Sequence, residues 1–254
     1  MAETVLKTNN ITMIFGGLHA VENFSIEIKE GELVGLIGPN GAGKTTVFNM
    51  LTGVYVPTSG TVELRGQDVT KMAPHNRVKI GISRTFQNIR LFKRMSVLDN
   101  VKVSSNVHMD YSIFDGIFKT KKYWAQEDKA TEEALEILEV LGLKEYADEQ
   151  AQNLPYGKQR KLEIARALAS HPAILCLDEP AAGMNPIETE ELMEPIKVVR
   201  DKFKTAVLLI EHDMKLVMGI CEWIKVISFG KEIATGTPDE IKNNKEVITA
   251  YLGE

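Results

Sequence analysis

Cysteine is scarce in this chain. Cys176 and Cys221 are the only two in 254 residues, and they lie far apart without metal-ligand spacing, which argues against a disulfide framework and a zinc site. Cys176 sits inside an apolar run and reads as a small core residue. Long hydrophobic runs are also missing. Stretches such as Ala173 to Leu177 and Ala206 to Ile210 have five residues, whereas a membrane-spanning helix needs about 20. No excess of positive charge exists, since Lys+Arg 30 against Asp+Glu 35 leaves −5. That disfavours a nucleic-acid binder, which normally shows a basic face. The start, Met1-Ala2-Glu3-Thr4, lacks the basic and apolar regions of a secretory signal. A reduced, soluble, intracellular protein is the expectation.

What remains is ample for a core, with 44% of residues hydrophobic and 26% charged. At roughly 150 residues per domain, one large domain or two small ones fit. Phe24, Ile26 and Ile28 alternate with Ser25, Glu27 and Lys29, the period of a half-buried strand. Leu33 to Ile37 is a short apolar strand, and Thr61 to Leu64 follows the turn at Pro57-Thr58-Ser59-Gly60. Ala173 to Leu177, Ala206 to Ile210 and Ile224 to Phe229 resemble buried parallel strands. Between about Asn88 and Ala169 the pattern turns helical. Ala134, Leu135, Ile137, Leu138 and Leu141 share one face, with Glu132, Glu133, Glu136 and Glu139 mostly opposite and Gly142 at the end. The architecture expected is α/β, interrupted by a helical insert. Pro238 to Leu252 reads as a C-terminal helix that packs back or meets a partner.

Gly38-Pro39-Asn40-Gly41-Ala42-Gly43-Lys44-Thr45 matches the phosphate-loop pattern in full, between an apolar strand and a predicted helix over Thr45 to Leu51. Glycines let backbone N–H groups curl around phosphate oxygens, and the helix start adds a favourable dipole. Lys44 is expected to reach the β- and γ-phosphates, and the Thr45 hydroxyl to ligate Mg²⁺. The run Ile174 to Leu177 ends in Asp178 and Glu179. Asp178 is the expected Mg²⁺-orienting acid, and Glu179 a suitable general base for the attacking water.

With these motifs in order, the chain resembles the nucleotide-binding subunits of ABC transporters over roughly Val5 to Leu252. That resemblance implies a P-loop NTPase core with an antiparallel β subdomain and a helical insert. It implies one domain over 1–254, with 1–87 and 170–254 as the ATP-binding core and 88–169 as a helical subdomain. It implies further that Phe15 stacks on adenine, that Gly38, Pro39, Asn40, Gly41, Ala42, Gly43, Lys44, Thr45 and Thr46 hold ATP, and that Gln87 contacts Mg²⁺ and water. His212 matches the switch histidine on the γ-phosphate, so Glu179, His212, Gln87 and Lys44 form the expected catalytic set, with Thr45, Gln87 and Asp178 about the metal. Asn185 lies in the D-loop that crosses the dimer interface, where many members carry Asp.

The signature segment departs from the family's Leu-Ser-Gly-Gly-Gln and reads Leu154-Pro155-Tyr156-Gly157-Lys158. Pro155 removes a hydroxyl and a backbone N–H that would meet the opposite subunit's γ-phosphate. Gly157 and the following helix start remain, and Lys158 adds a charge that partly compensates. One composite ATP site is thereby expected to be weaker, with the other supplied by a different subunit.

Within the family the chain resembles LivG-type ATPases of branched-chain amino acid uptake. The stretches that carry this are Arg84 to Phe92, Leu162 to Ala167, Asp178 to Pro186, Ile210 to Gly219 and the ending Tyr251-Leu252-Gly253-Glu254. The aromatic-rich insert Tyr111 to Trp124 fits as well, as a surface loop or as a partner contact. The partners implied are a second nucleotide-binding subunit, identical or different, two transmembrane permeases and, indirectly, a solute-binding protein, with no nucleic acid. The place implied is the cytoplasmic face of the membrane. Urea or amide uptake, lipopolysaccharide export, and a soluble non-transport ABC ATPase are the alternative readings.

Overall fold

The computed structural model describes residues 3–252. Met1 and Ala2 of the start, and Gly253 and Glu254 of the ending quoted above, lie outside the described residues.

A long antiparallel hairpin opens the chain, β1 (Thr4–Phe15) paired with β2 (Leu18–Lys29). The alternation in β2 buries Phe24, Ile26 and Ile28 as expected. β3 (Leu33–Ile37) is buried at every residue and feeds α1 (Lys44–Leu51). β4 (Ser59–Leu64) and β5 (Gln67–Asp68) complete a four-stranded sheet in the order β2-β1-β4-β5. α2 (Pro74–Ile80) then leads into β6 (Ile82–Arg84). From 88 to 96 the chain carries turns, irregular backbone and one isolated β-bridge, Ser96 to Gln150, so the helical segment begins later than its composition suggests. It comprises α3 (Val97–Ser105), α4 (Ile113–Phe118), α5 (Lys121–Val140) and α6 (Tyr156–Leu168). Gly142 sits just past α5 with a φ of 66°, the left-handed stop that glycine makes cheaply.

The remainder alternates strand and helix: β7 (Ile174–Asp178), α7 (Pro186–Phe203), β8 (Ala206–Ile210), α8 (Met214–Ile220), β9 (Trp223–Ser228), β10 (Lys231–Gly236), α9 (Pro238–Lys242) and α10 (Lys245–Leu252). The C-terminal stretch is thus two helices rather than one. The break falls at Asn243-Asn244, where the Asn244 Oδ1 accepts from the N–H groups of Glu246 and Val247 and starts a new helix.

The larger sheet runs β10-β9-β3-β8-β7-β6, with β9, β3, β8, β7 and β6 parallel and β10 antiparallel at the edge. Its strands alternate between two cores. Leu33, Ile37, Leu175, Leu177, Val207 and Leu209 face the helical side. Val34, Leu36, Ile174, Cys176, Leu208 and Ile210 face α1 and the smaller sheet. Each such side chain, fully buried, contributes about 1.5–3 kcal/mol. The parallel strands therefore end together at one edge, where α/β folds hold their ligands.

Candidate active site

Gly38 to Gly43 forms the turn between β3 and α1. At Gly38 a Cβ would lie 2.0 Å from the Ile227 carbonyl oxygen, and at Gly43, with φ 104°, it would lie 2.6 Å from that of Ala20. Only glycine fits either position. Gly43 occupies the N-cap of α1 without a side-chain cap, so the first-turn N–H groups stay available to an anion. Lys44 is nearly buried, and its ammonium donates to the carbonyls of Gly38 at 2.6 Å and Pro39 at 2.9 Å. Burial lowers its pKa, and the charge of Glu179 opposes that shift. A cleft of about 430 Å³ lies over this loop, lined by Asn40 to Thr46, Gln87, Glu179 and His212. Thr45 is exposed to the cleft and Thr46 half-buried beneath it.

The structure brings three of the predicted side chains together above the loop. Glu179 Oε1 lies 2.8 Å from His212 Nε2, and its Oε2 accepts from Gln87 Nε2 at 2.9 Å. Glu179 follows directly on β7 with a φ of 47°, a sparsely populated conformation for a residue with a Cβ. Its N–H donates to Ile210 O, which ties that conformation to the end of β8.

Asp178 stands behind the cleft rather than in its lining. Its carboxylate pairs with Arg84 at 3.3 Å, and its N–H donates to Thr85 Oγ1. Burial pushes the Asp178 carboxyl upward, and the Arg84 charge works against that. Phe15 also stands outside the lining, 44% exposed and edge-on to Tyr55 at 5.4 Å, while its cross-strand partner Leu18 lines the cleft.

The signature segment starts α6, with Pro155 at the N-cap and no side-chain cap. Leu154 is buried in the helical core. Tyr156 donates from its hydroxyl to Ala182 O at 2.9 Å, and a Cβ on Gly157 would meet Glu188 Oε1 at 2.9 Å. The signature and D-loop are thus packed together. Lys158 does not extend toward the helix start: its ammonium hydrogen-bonds the Tyr146 hydroxyl and lies 3.6 Å from that ring's centroid. Asn185 caps α7, accepting from Ile187 and Glu188 N–H groups, while Glu188 accepts from Asn185 N–H. An amide serves there because the work is helix capping.

Three residues that sequence reasoning left unassigned complete the frame. Arg84 is the counter-ion of Asp178 and is also held by Asn49 and Thr52. Glu211 is buried, its pKa raised by that burial, and accepts from the N–H groups of Ala181 and His212. Arg160 reaches Phe86 O beside Gln87, the Tyr156 hydroxyl, and Ala182 O in the D-loop. A charged residue flanking each motif was the signal available.

A phosphate loop on a buried parallel strand, with a buried acid at the end of β7, two places along the sheet, a second acid directly after it, and a helical insert between them in sequence, defines a nucleotide-hydrolysing cassette. The ABC transporter family model matches residues 21–182, and the chain belongs to that family, whose members hydrolyse ATP. A second model, "Branched-chain amino acid ATP-binding cassette transporter", matches residues 231–254. The chain is 50% identical to the high-affinity branched-chain amino acid transport ATP-binding protein LivG of Escherichia coli (strain K12), over 254 residues and 100% of both chains. Among solved structures it is similar to the ADP conformation of MJ1267, an ATP-binding cassette of an ABC transporter. There the TM-score is 0.85 and the identity 31%, with 99% of each chain covered. It is also similar to the dimeric post-hydrolysis state of MJ0796 bound to ADP and Pi, with a TM-score of 0.76 and 25% identity over 92% of this chain and 98% of that one.

Proposed function

We propose that this chain is the ATP-hydrolysing subunit of a branched-chain amino acid importer, docked on two permeases at the cytoplasmic face of the membrane. It pairs with a second nucleotide-binding subunit, identical or different, and a solute-binding protein delivers the cargo. The full-length identity to LivG and the match over 231–254 support the cargo. The observation that carries the chemistry is the single carboxylate of Glu179, held between Gln87 and His212 over the phosphate loop.

Lys44 and the first N–H groups of α1 neutralise and orient the phosphates, so that catalysis is largely positioning and charge stabilisation. Glu179 orients water and takes its proton, while His212 and Gln87 hold the carboxylate and meet the γ-phosphate. Closure of the dimer brings the signature helix start of one subunit onto the nucleotide of the other. Loss of the γ-phosphate contacts lets the pair reopen. The donor types fit Mg²⁺: the Thr45 hydroxyl and Gln87 amide are hard oxygens in the cleft lining, and the Asp178 carboxylate stands behind them, paired with Arg84. Those residues would hold the ion, which would supply charge neutralisation for the phosphates.

The test uses proteoliposomes holding the permeases, the partner ATPase subunit and the binding protein. Glu179→Gln is expected to keep ATP binding and to lose roughly 100-fold or more in hydrolysis, together with leucine uptake. Normal turnover refutes the role of Glu179. Turnover that leucine, isoleucine and valine all leave unchanged refutes the cargo.

A further inference from the structure

α4 carries Ile113, Phe114, Ile117 and Phe118 at positions that share one helical face. All four point into solvent, between 67% and 81% exposed. This is a built feature rather than a loose loop. Ser112 and Asp115 form a capping box, and Thr120 donates to the same Asp115 at 2.8 Å. Tyr111 stacks edge-on against Tyr123 at 5.2 Å and donates to Glu127 at 3.1 Å. The segment is anchored to α5 and held with its apolar stripe outward.

Charge surrounds the stripe. Lys119, Lys121 and Lys122 are exposed in a chain whose net charge is −5. Lys119 Nζ lies 5.8 Å from the ring of the half-exposed Trp124. The acids close by are Asp115, engaged in the cap, Asp110, 3.6 Å from Lys122, Glu127, held by Tyr111 and Lys102, and the exposed Asp128 one turn along α5 from Trp124. Apolar side chains flanked by lysines, with tyrosine and tryptophan at the border, match an interfacial segment that dips between lipid headgroups. We propose that α4 and the lysines after it form a foot that rests on an anionic phospholipid surface. Its position agrees. Ser104, in α3, and Val107, between α3 and α4, line a groove of about 280 Å³ that also touches Phe86 and Arg166. That placement beside the membrane subunits rests on the proposed function, whereas lipid binding itself requires no permease.

The full chain, without permeases, is floated with vesicles of phosphatidylglycerol and phosphatidylcholine, and separately with phosphatidylcholine alone. Wild type is expected to float with the anionic vesicles, with a blue shift in emission that Trp124→Phe removes while keeping Trp223. Phe114→Ser with Phe118→Ser, and Lys119→Glu with Lys121→Glu and Lys122→Glu, should each weaken partition by roughly tenfold or more. The changed side chains are exposed, and an unaltered ATPase rate reports that the variants fold. No flotation, or flotation that neither variant alters, overturns the inference. So does an oligomer that the Phe variant dissolves without any lipid effect, because the stripe would then join copies of the chain. ATP hydrolysis by wild type without vesicle binding removes only the lipid foot. Vesicle binding without any hydrolysis removes the proposed function instead.

Discussion

Asp178 and Arg84 show how one residue's chemistry depends on another far away in sequence. Burial in the sheet pushes the Asp178 carboxyl upward, toward its neutral form, and the guanidinium at 3.3 Å works against that shift. Arg84 is itself fixed, by hydrogen bonds to Asn49 and Thr52 and by the ring of Phe86 at 4.7 Å from its guanidinium carbon. Arg84→Met removes the opposing charge, so the Asp178 pKa rises further. A carboxylate with a higher pKa is protonated at higher pH, and a protonated Asp178 is a poor partner for Mg²⁺. The acidic limb of the ATPase pH profile is therefore expected to move to higher pH in Arg84→Met, with little change at alkaline pH. A profile that keeps its acidic limb disproves the coupling. None of this was legible from the motif Ile174 to Glu179, because the counter-ion arrives from β6, more than ninety positions earlier.

At the scale of elements, α1 is anchored at both ends by unlike means. Its start faces the cleft, and its end is capped by the fully buried Arg77. That guanidinium donates to Met50 O, Leu51 O, Thr70 O and Met72 O. Burial lowers its pKa to about 10, still charged at neutral pH. Arg77→Met removes the guanidinium donor from those four carbonyls, of which Met50 O keeps the Gly53 N–H, and is expected to cost about 3–5 kcal/mol in denaturant unfolding. A loss under about 1 kcal/mol contradicts the cap. Sequence pattern located the strands with a plain signature: apolar runs for β3, β7 and β8, alternation for β2. It passed over β1, where Asn9 and Asn10 interrupt the pattern and Asn10 takes a φ of 48° at a register shift. It also passed over β10, an edge strand with no buried residue. The site motifs were legible because each is contiguous. The bonds among Gln87, Glu179 and His212 were not, since they depend on the order of strands in the sheet.

At the scale of the molecule, Tyr156 and Arg160 connect the signature helix to the D-loop and to the segment before Gln87. Tyr156→Phe deletes one hydroxyl and its bond to Ala182 O. The expected effect is a stability loss of about 0.5–1.5 kcal/mol and a lower Hill coefficient for ATP in the assembled dimer, since two interface elements would lose a shared restraint. An unchanged Hill coefficient argues against this linkage. The order of strands also governs when the subunit can begin to work. β3 holds the phosphate loop near the start of the chain, yet its two neighbours, β8 and β9, are made only near the end. At about 5–20 residues per second, ribosomal synthesis separates β3 from β9 by roughly 10–40 s. During that interval the glycine-rich turn emerges without the strands that shape it, so a nascent chain cannot grip ATP or spend it. Competence arrives late in translation.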